Sequence, residues 1–402
     1  MAMPLEGIRV IETGGFMAAP LTARHLGDMG ADVIKIEHPV RGEPARGITL
    51  LRERYTGGFL EVMEVCNRNK RSMGIDLQHP LGKEIMHKLI EGADVFITNF
   101  QNDTLVKMGL DYDLLKKINP RIIYGMGTGW GRKGHDKDRP AFDLAAFAMT
   151  GAMAQMAWAD MPPAPLGVIG LGDEINGLML AYGIVLALFN RERTGVGQLV
   201  HASLLGSWLE VSGVMLQHAL YYGKDVANYS REAATSPLWN CYQTKDKRYI
   251  QLAMIQSDAY WHDLCQALEI MEIEKEPRFS DHWSRVENNI ELISIFDEAF
   301  AKRTFDEWLE RLKGYKIIWA PILTYAEVIK DEQIRENDYI TMVDHPEYGA
   351  IETIGIPVEL DKTPGAIRRV CPTLGQHTEE ILLEIGYTWD SIARLKEQKA
   401  IV

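Results

Sequence analysis

One acidic side chain stands out because of the glycines around it. Asp173 lies in the run Gly172-Asp173-Glu174, between a glycine-containing loop and an apolar stretch typical of a helix. Aspartate at such a place caps the helix by accepting hydrogen bonds from its free N–H groups. The alternative is a carboxylate that the helix terminus keeps ionised and that glycines leave open to a substrate, as a nucleophile requires. The two roles exclude each other, because a capping oxygen is not free to attack.

Basic residues concentrate in the first third of a chain whose formal net charge is −13. A negative field disfavours nucleic acid and acidic membrane surfaces, so an anionic ligand needs a local basic cluster. Most of these residues lie near predicted strand ends, the edge at which open α/β sheets bind ligands. A scatter of solvated charges is the alternative. The residues are Lys35, Arg41, Arg46, Arg68, Lys70, Arg71 and Lys107.

A cluster of glycines at positions 125, 127, 129 and 131 follows a predicted strand. A dinucleotide-binding loop requires a helix to begin inside the glycine motif, whereas here the polar run RKGHDKDRP follows and ends in proline. We therefore expect a loop that lets the backbone approach a ligand or a second chain. The sequence has no P-loop, HExxH or GxSxG motif, and its four cysteines show no CxxC spacing, so neither a metal site nor a disulfide framework is expected.

The elements that must position these residues follow from the apolar pattern. Short apolar runs alternate with helical stretches in the first half, which predicts a parallel sheet and an α/β, Rossmann-like fold. Apolar residues surround the helix at 174–190, which predicts a helix buried on nearly all sides. The predicted strands are 7–12, 32–37, 72–77, 94–99, 121–125 and 199–203, and the predicted helices are 20–29, 80–91, 141–156, 174–190 and 204–222.

The pattern changes after about residue 225. A hairpin at 239–253 and helices to about 312 predict a smaller α+β domain, and strand character returns at 317–321. We expect a large Rossmann-like domain over 1–224, a small domain over 225–316, and a C-terminal part, 317–402, that rejoins the large domain. No apolar run reaches 18 residues and no secretion signal is recognisable, which predicts a cytoplasmic protein without a membrane partner.

Several segments match one family in order along essentially the whole chain. They include PLEGIRVIETGGFMAAPLTARHLGDMGADVIKIEHP, NRNKRSMGIDLQHPLGKEI, ADVFITNF and PTLGQHTEEILLEIGY, and the most specific is GLGDEINGLMLAYGIVLALFNRERTGVGQLVHASL. The chain resembles the class III CoA-transferases, of the formyl-CoA and carnitine CoA-transferase type. The resemblance implies an interlocked homodimer that takes an acyl-CoA and a carboxylic acid as substrates, with no tightly bound cofactor; a heteromer is the other possible assembly.

The resemblance also implies roles for particular residues. The family's nucleophile is the aspartate of the GD motif, which falls on Asp173 and would pass through an aspartyl anhydride and an aspartyl-CoA thioester. The CoA-binding positions carry over to Phe16, Met17, Ala18, Arg46, Lys70, Asn99, Phe100 and Lys107. Family members with a mobile glycine-rich loop in the small domain differ from this chain, which reads SREAATSPLW at 230–239.

Two alternative functions stay open. A 2-methylacyl-CoA racemase shares the fold but needs a histidine opposite the aspartate to exchange an α-proton, and Phe142 stands in the corresponding segment here. The other is a non-catalytic acyl-CoA-binding subunit, against which Asp173 argues. For the transferase, Gly127 to Gly131 are the candidate oxyanion donors. Apolar side chains near them favour a hydrophobic or aromatic acid, with a core role as the alternative: Trp130, Phe142, Met153, Met156 and Trp158.

Overall fold

The computed structural model describes residues 2–47, 61–157, 159, 161–163 and 167–402. These residues divide into two compact units. The first unit lies within Met1–Ala152, Pro165–Leu220 and Glu332–Val402, and the second within Met153–Ala164 and Tyr221–Asp331.

The chain up to Tyr222 alternates strands and helices, as the sequence predicts. The strands are β1 (Arg9–Thr13), β2 (Asp32–Glu37), β3 (Lys70–Gly74), β4 (Val95–Thr98), β5 (Ile123–Thr128) and β6 (Leu199–Ser203). The helices are α1 (Ala18–Asp28), α2 (Glu61–Asn67), α3 (Pro80–Glu91), α4 (Asn102–Met108), α5 (Tyr112–Ile118), α6 (Asp143–Met149), α7 (Ala152–Gln155), α8 (Leu171–Thr194), α9 (Leu204–Val211) and α10 (Gly213–Tyr222).

The six strands form one parallel sheet in the order β3-β2-β1-β4-β5-β6. This mixed α/β architecture confirms the predicted fold class. The strand order reverses between β1 and β4, and in open α/β sheets ligands bind beyond the carboxyl ends of the strands at such a reversal.

The second unit has its own small sheet and core. An antiparallel sheet in the order β7-β8-β9 packs with helices around the buried side chains of Tyr242, Phe296 and Trp308. Strand character predicted at 317–321 appears as β9, which pairs with β8 in this unit. The elements are β7 (Cys241–Gln243), β8 (Tyr249–Leu252), α11 (Trp261–Leu268), α12 (His282–Glu287), α13 (Asn289–Phe300), α14 (Phe305–Leu312), β9 (Trp319–Pro321) and α15 (Tyr325–Val328).

The C-terminal segment contributes α16 (Glu332–Glu336), β10 (Ile340–His345), β11 (Gly349–Ile354), α17 (Thr378–Glu384) and α18 (Trp389–Glu397). Strands β10 and β11 form an antiparallel hairpin that the sequence reading did not predict. Side chains of α17 and α18 join those of α3 and α5 in the core on one face of the parallel sheet. Side chains of α1 and α8 fill the other face.

Helix α8 differs from its predicted environment. It begins after Gly170 and ends before Gly195, both in the left-handed region, and buries Leu180 and Ile184 against the sheet. The prediction of burial on nearly all sides is wrong for the single chain, because the opposite face exposes large apolar side chains by 38% to 65% of their surface: Leu178, Met179, Tyr182, Val185, Leu186 and Phe189. Among the described helices, α8 has the length and apolar composition of a membrane span, which the core helix of a soluble protein can share.

Two predicted long helices are interrupted. The helix expected at 141–156 divides into α6 and α7 around Gly151, whose φ of 78° lies in the left-handed region and ends an α-helix. The helix expected at 204–222 divides into α9 and α10 at Ser212, whose hydroxyl donates to the carbonyl oxygen of Trp208 at 2.8 Å. Local backbone geometry, which an apolar pattern does not encode, accounts for both breaks.

Candidate active site

A cavity of about 710 Å³ opens in the first unit beyond the carboxyl ends of β1, β4 and β5. Since β1 and β4 are the strands between which the order reverses, this is where the topology predicts a ligand. Most of the site residues expected from the sequence line the cavity: Phe16, Met17, Ala18, Asn99, Phe100, Gly127, Gly129, Phe142 and Asp173.

The loop after β1 forms one wall of this cavity. Phe16 has a φ of 61°, in the left-handed region, and its ring contacts that of Phe142 edge-on at 5.3 Å. Asn99 holds the loop from both sides: its Oδ1 accepts from the N–H of Gly15 at 3.1 Å, and its Nδ2 donates to the Gly15 carbonyl at 2.9 Å. Asn99 therefore fixes the backbone that presents Phe16 and Met17 to the cavity.

Asp173 stands in the first turn of α8 and faces the cavity. The N-cap residue of α8 is Gly170, which has no side chain to cap the helix, and Asp173 accepts no hydrogen bond from any described residue. Burial and the neighbouring carboxylate of Asp143 raise the pKa of Asp173 to about 7. Of the two roles considered for Asp173, the geometry therefore supports the free carboxylate and not the helix cap.

The adjacent acid, Glu174, does not compete for this position. Its Oε1 accepts from the Arg24 guanidinium at 2.7 Å and lies 3.1 Å from Nε2 of His25. Burial alone would raise the pKa of Glu174, but the contacts with His25 and Arg24 lower it overall. Of the two neighbouring carboxylates, only Asp173 lines the cavity in the described part of the chain.

Lys70, expected at the CoA site, lies elsewhere in the structure. Its side chain is fully buried, and its ammonium group contacts Glu12 at 3.1 Å, the Pro20 carbonyl at 2.8 Å and Asn67 at 2.9 Å. These three acceptors match the three hydrogens that an ammonium group can donate. In this structure Lys70 supports the sheet edge and has no donor left for a ligand.

Three further expected residues lie outside the cavity lining. Arg46 binds Glu37 through two contacts, at 2.6 and 2.7 Å, and donates to the Pro372 carbonyl. Lys107 stands at the C-terminal end of α4. Trp130 is buried with Arg139 stacked on its ring at 4.1 Å.

The sequence reading missed the cations that do line the cavity. Arg132, Lys137 and Arg139 come from the loop between β5 and α6. Their signal in the sequence is the charge-dense run RKGHDKDRP directly after the glycine cluster. They share the lining with Asp111, Asp113 and Asp138, and they are the side chains of the cavity with the charge to contact an anionic ligand.

The remaining predicted residues are the oxyanion donors and the side chains expected near the acyl group. Gly127 and Gly129 line the cavity, but the N–H of Gly131 already donates to Oγ1 of Thr128 at 3.1 Å. Met153 and Met156 belong to the second unit. Trp158 lies outside the described residues.

Among the described residues, no group of three or more histidine, cysteine, aspartate or glutamate side chains is arranged to hold a metal ion. The four cysteines are free thiols. Cys66 is buried, which raises its pKa to about 12 and leaves it uncharged at neutral pH.

Comparison with known proteins identifies the family of the chain. The family model described as CoA-transferase family III matches residues 5–378. The chain belongs to CoA-transferase family III. Members of the family use CoA thioesters as substrates, and the named relatives support a transferase.

Two CoA-transferases are each 33% identical to this family member. One is (R)-2-hydroxy-4-methylpentanoate CoA-transferase of Clostridioides difficile, with 99% of this chain and 100% of that one covered. The other is cinnamoyl-CoA:phenyllactate CoA-transferase of Clostridium sporogenes, with 99% and 97% covered. A solved CAIB/BAIF family protein from Brucella suis has a TM-score of 0.85 at 29% identity, covering 96% of this chain and 100% of its own.

Proposed function

We propose that this protein transfers CoA from an acyl-CoA to a carboxylic acid, with Asp173 as the nucleophile. The observation that carries the proposal is that the Asp173 carboxylate does not cap α8 and instead faces a cavity beyond the carboxyl ends of the strands. With a pKa of about 7, a substantial fraction of Asp173 is ionised at neutral pH, and the ionised carboxylate is the form that attacks. A raised pKa makes that ionised form a better nucleophile.

The proposed reaction begins when an Asp173 oxygen attacks the thioester carbonyl carbon. The C–S bond breaks, which leaves an aspartyl anhydride and CoA thiolate. The thiolate then attacks the aspartyl carbonyl and displaces the donor's carboxylate, giving an aspartyl-CoA thioester. The acceptor carboxylate attacks this thioester and releases CoA thiolate, and the thiolate attacks the acceptor's carbonyl in the second anhydride. New acyl-CoA leaves and the Asp173 carboxylate is restored.

The cavity supplies partners for the rest of CoA. Arg132, Lys137 and Arg139 provide positive charge for its phosphates. Gly127 and Gly129 are the backbone candidates for stabilising the oxyanion of each tetrahedral intermediate.

We propose a hydrophobic or aromatic acyl group. Phe16, Met17, Phe142 and Leu204 are apolar residues of the same cavity as Asp173. The names of two relatives fit this choice, since 2-hydroxy-4-methylpentanoate is branched and aliphatic and phenyllactate is aromatic, whereas other relatives at 30–33% identity are named for succinyl-CoA with malate or glutarate, or for formyl-CoA with oxalate. The racemase alternative is disfavoured, because no histidine lines the cavity in the described part of the chain to exchange the second proton.

We also propose that two copies form the interlocked homodimer. Like the exposed apolar face of α8, helix α10 presents apolar side chains to solvent: Val214 is 83% and Leu220 69% exposed. Apolar surface of this extent marks an interface with another molecule. Light scattering at micromolar concentration should give twice the mass of one chain, and Phe189→Asp on α8 should weaken the dimer. A monomeric wild-type protein would contradict the proposal, and a requirement for a different chain would indicate a heteromer.

Trapping the acyl-enzyme tests the chemistry. Hydroxylamine treatment with a panel of aliphatic and aromatic acyl-CoAs, followed by peptide mass analysis, should place the modification on Asp173. Asp173→Ala should lose the adduct and at least about 10³-fold of the transfer rate, since it removes the group that forms the covalent intermediate. Glu174→Gln is the matched control, because its carboxylate lies outside the cavity, and it should keep the adduct. CoA transfer that persists in Asp173→Ala would disprove the mechanism; α-deuterium exchange without an acceptor acid would indicate a racemase.

A further inference from the structure

A second buried carboxylate lies beside the proposed nucleophile. Asp143 is the first residue of α6 and is 8% exposed. Its Oδ2 accepts from the backbone N–H of Gly172 at 3.0 Å, and its Oδ1 accepts from the indole Nε1–H of Trp208 at 2.6 Å. Asp143 thereby joins α6, the first turn of α8 and α9.

The first turn of α8 needs an acceptor from outside its own helix. Free N–H groups at a helix start are normally satisfied by the N-cap side chain, and here the N-cap is Gly170, which has none. An aspartate in the first turn is an obvious substitute, yet Asp173 does not serve as one. Asp143 takes the Gly172 N–H instead.

We infer that Asp143 is a positioning residue, which caps α8 from a neighbouring helix so that the carboxylate of Asp173 stays free and directed into the cavity. This inference rests on the proposed role of Asp173 and deepens it. Asp143 does not touch the substrate; it acts through the backbone of Gly172 and through its charge. Trp208 in turn holds Asp143, since its indole donates to the second carboxylate oxygen.

The packing leaves this arrangement little freedom. A Cβ on Gly172 would overlap both Oδ1 of Asp143 and Nε1 of Trp208, so glycine is required where the three meet. The Trp208 ring also packs against Phe147 of α6, with ring centroids 4.3 Å apart. Both donors to Asp143 are therefore rigid, since one is the Gly172 backbone and the other is a packed indole ring.

The charges of the pair have a chemical consequence. Burial and the charge of Asp143 together keep the pKa of Asp173 at about 7. The next acid along the chain, Glu174, is paired with the Arg24 guanidinium and also contacts the His25 ring. Asp143 is thus the charged neighbour that makes the Asp173 carboxylate more basic, and a more basic carboxylate attacks a thioester more readily once it is ionised.

The central variant is Asp143→Asn, which keeps the shape but removes the charge. Because Gly172 and Trp208 both donate, an amide nitrogen in place of one oxygen would face a donor. We expect kcat to fall about 10- to 100-fold while KM for acyl-CoA changes less than about threefold, since misplacing a reacting group costs rate more than binding. The acidic limb of the kcat/KM profile should move to lower pH. The matched control, Glu174→Gln, should leave that limb in place.

A measurement without substrate separates this inference from the proposed function. Carbodiimide modifies a carboxyl group in its protonated form, so labelling of the Asp173 peptide across pH, read by mass analysis, should fall with a midpoint near 7 in the wild type. In Asp143→Asn the midpoint should be lower. An unchanged midpoint and limb would overturn the inference. A shifted midpoint in a protein that transfers no CoA would refute the proposed function and leave the positioning role standing.

Trp208→Phe keeps the inference testable if Asp143→Asn does not fold. This change removes one donor to Asp143 but keeps the ring against Phe147 and the charge beside Asp173. We expect kcat to fall about three- to tenfold with the acidic limb unmoved. Wild-type kcat in folded Trp208→Phe would contradict the role assigned to the indole donor.

Discussion

Two clusters in the first unit each contain a buried carboxylate, but only one of them also contains cations. In the first, which we call the lysine cluster, Glu12 binds both Lys35 and Lys70 at 3.1 Å, and all three side chains are fully buried. The second is the carboxylate pair, Asp143 and Asp173: Asp143 accepts from two neutral N–H donors, Asp173 accepts from none, and no cation binds either among the described residues.

The presence or absence of bound cations distinguishes a carboxylate that stabilises the fold from one that can react. Burial alone would raise the pKa of Glu12, but Lys35 and Lys70 lower it, so Glu12 stays ionised and bound. For Asp173, burial and Asp143 act in the same direction and raise the pKa to about 7. A carboxylate with bound cations stabilises the fold, whereas one without them is the better candidate for reaction.

The lysine cluster nevertheless holds the backbone of a loop that lines the cavity. Oε1 of Glu12 accepts from the N–H of Gly14 at 2.8 Å, and the ammonium of Lys35 donates to the Gly14 carbonyl at 3.4 Å. Gly14 begins the loop that carries Phe16 and Met17 into the cavity. Lys70 therefore contributes to the site without reaching it.

The largest effect on stability should come from breaking the lysine cluster. Glu12→Ala removes the carboxylate that Lys35 and Lys70 share: Lys35 keeps its contact with Glu43, but Lys70 loses the carboxylate it binds, and removing one partner of a buried ion pair costs about 3–5 kcal/mol. Urea unfolding should show this loss, while Asp173→Ala, measured alongside, should lose activity and not stability. Equal stability of Glu12→Ala and wild type would mean that the cluster is not the scaffold described here.

How much of this contrast the sequence predicts depends on the kind of feature. The parallel sheet followed from alternating strands and helices, and Asp173 followed from the GD motif. Which basic side chains reach the cavity was not predictable, because Lys70 is buried by contacts with Glu12 and Pro20, which lie far from it along the chain. The apolar residues around α8 predict a helix buried within one chain, but the same pattern also fits a helix with one apolar face that a second molecule covers.

A pH-dependent effect of intermediate size should distinguish the carboxylate pair. Because the pKa of Asp173 is raised, the folded protein holds a proton between about pH 4 and pH 7 that the unfolded chain has released. This group therefore lowers stability as pH rises through that window, and the full cost is present above pH 7. Asp173→Asn removes the cost, so it should be more stable than wild type at pH 8, by on the order of 2 kcal/mol.

Thermal unfolding of both proteins at pH 5 and pH 8 measures this. The advantage of Asp173→Asn should be smaller at pH 5, where less of the cost has developed. A matched substitution in the lysine cluster, Glu12→Gln, should destabilise at both values because Glu12 is ionised and bound throughout. An advantage of Asp173→Asn that did not grow with pH would mean that the pKa of Asp173 is not raised.

The smallest effects should separate the cations that line the cavity from one that does not. Arg132→Ala and Lys137→Ala each remove one charge from the loop between β5 and α6 and should raise KM for acyl-CoA about three- to tenfold, as expected for one partly exposed phosphate contact. Lys107→Ala, on α4, should raise it less than about twofold, and added salt should narrow the difference because exposed charges are screened. Steady-state kinetics with one acyl-CoA at two salt concentrations is sufficient. A larger effect of Lys107 would place the phosphates at the α4 end of the cavity, as the family resemblance implied, and would leave the loop cations as surface charge.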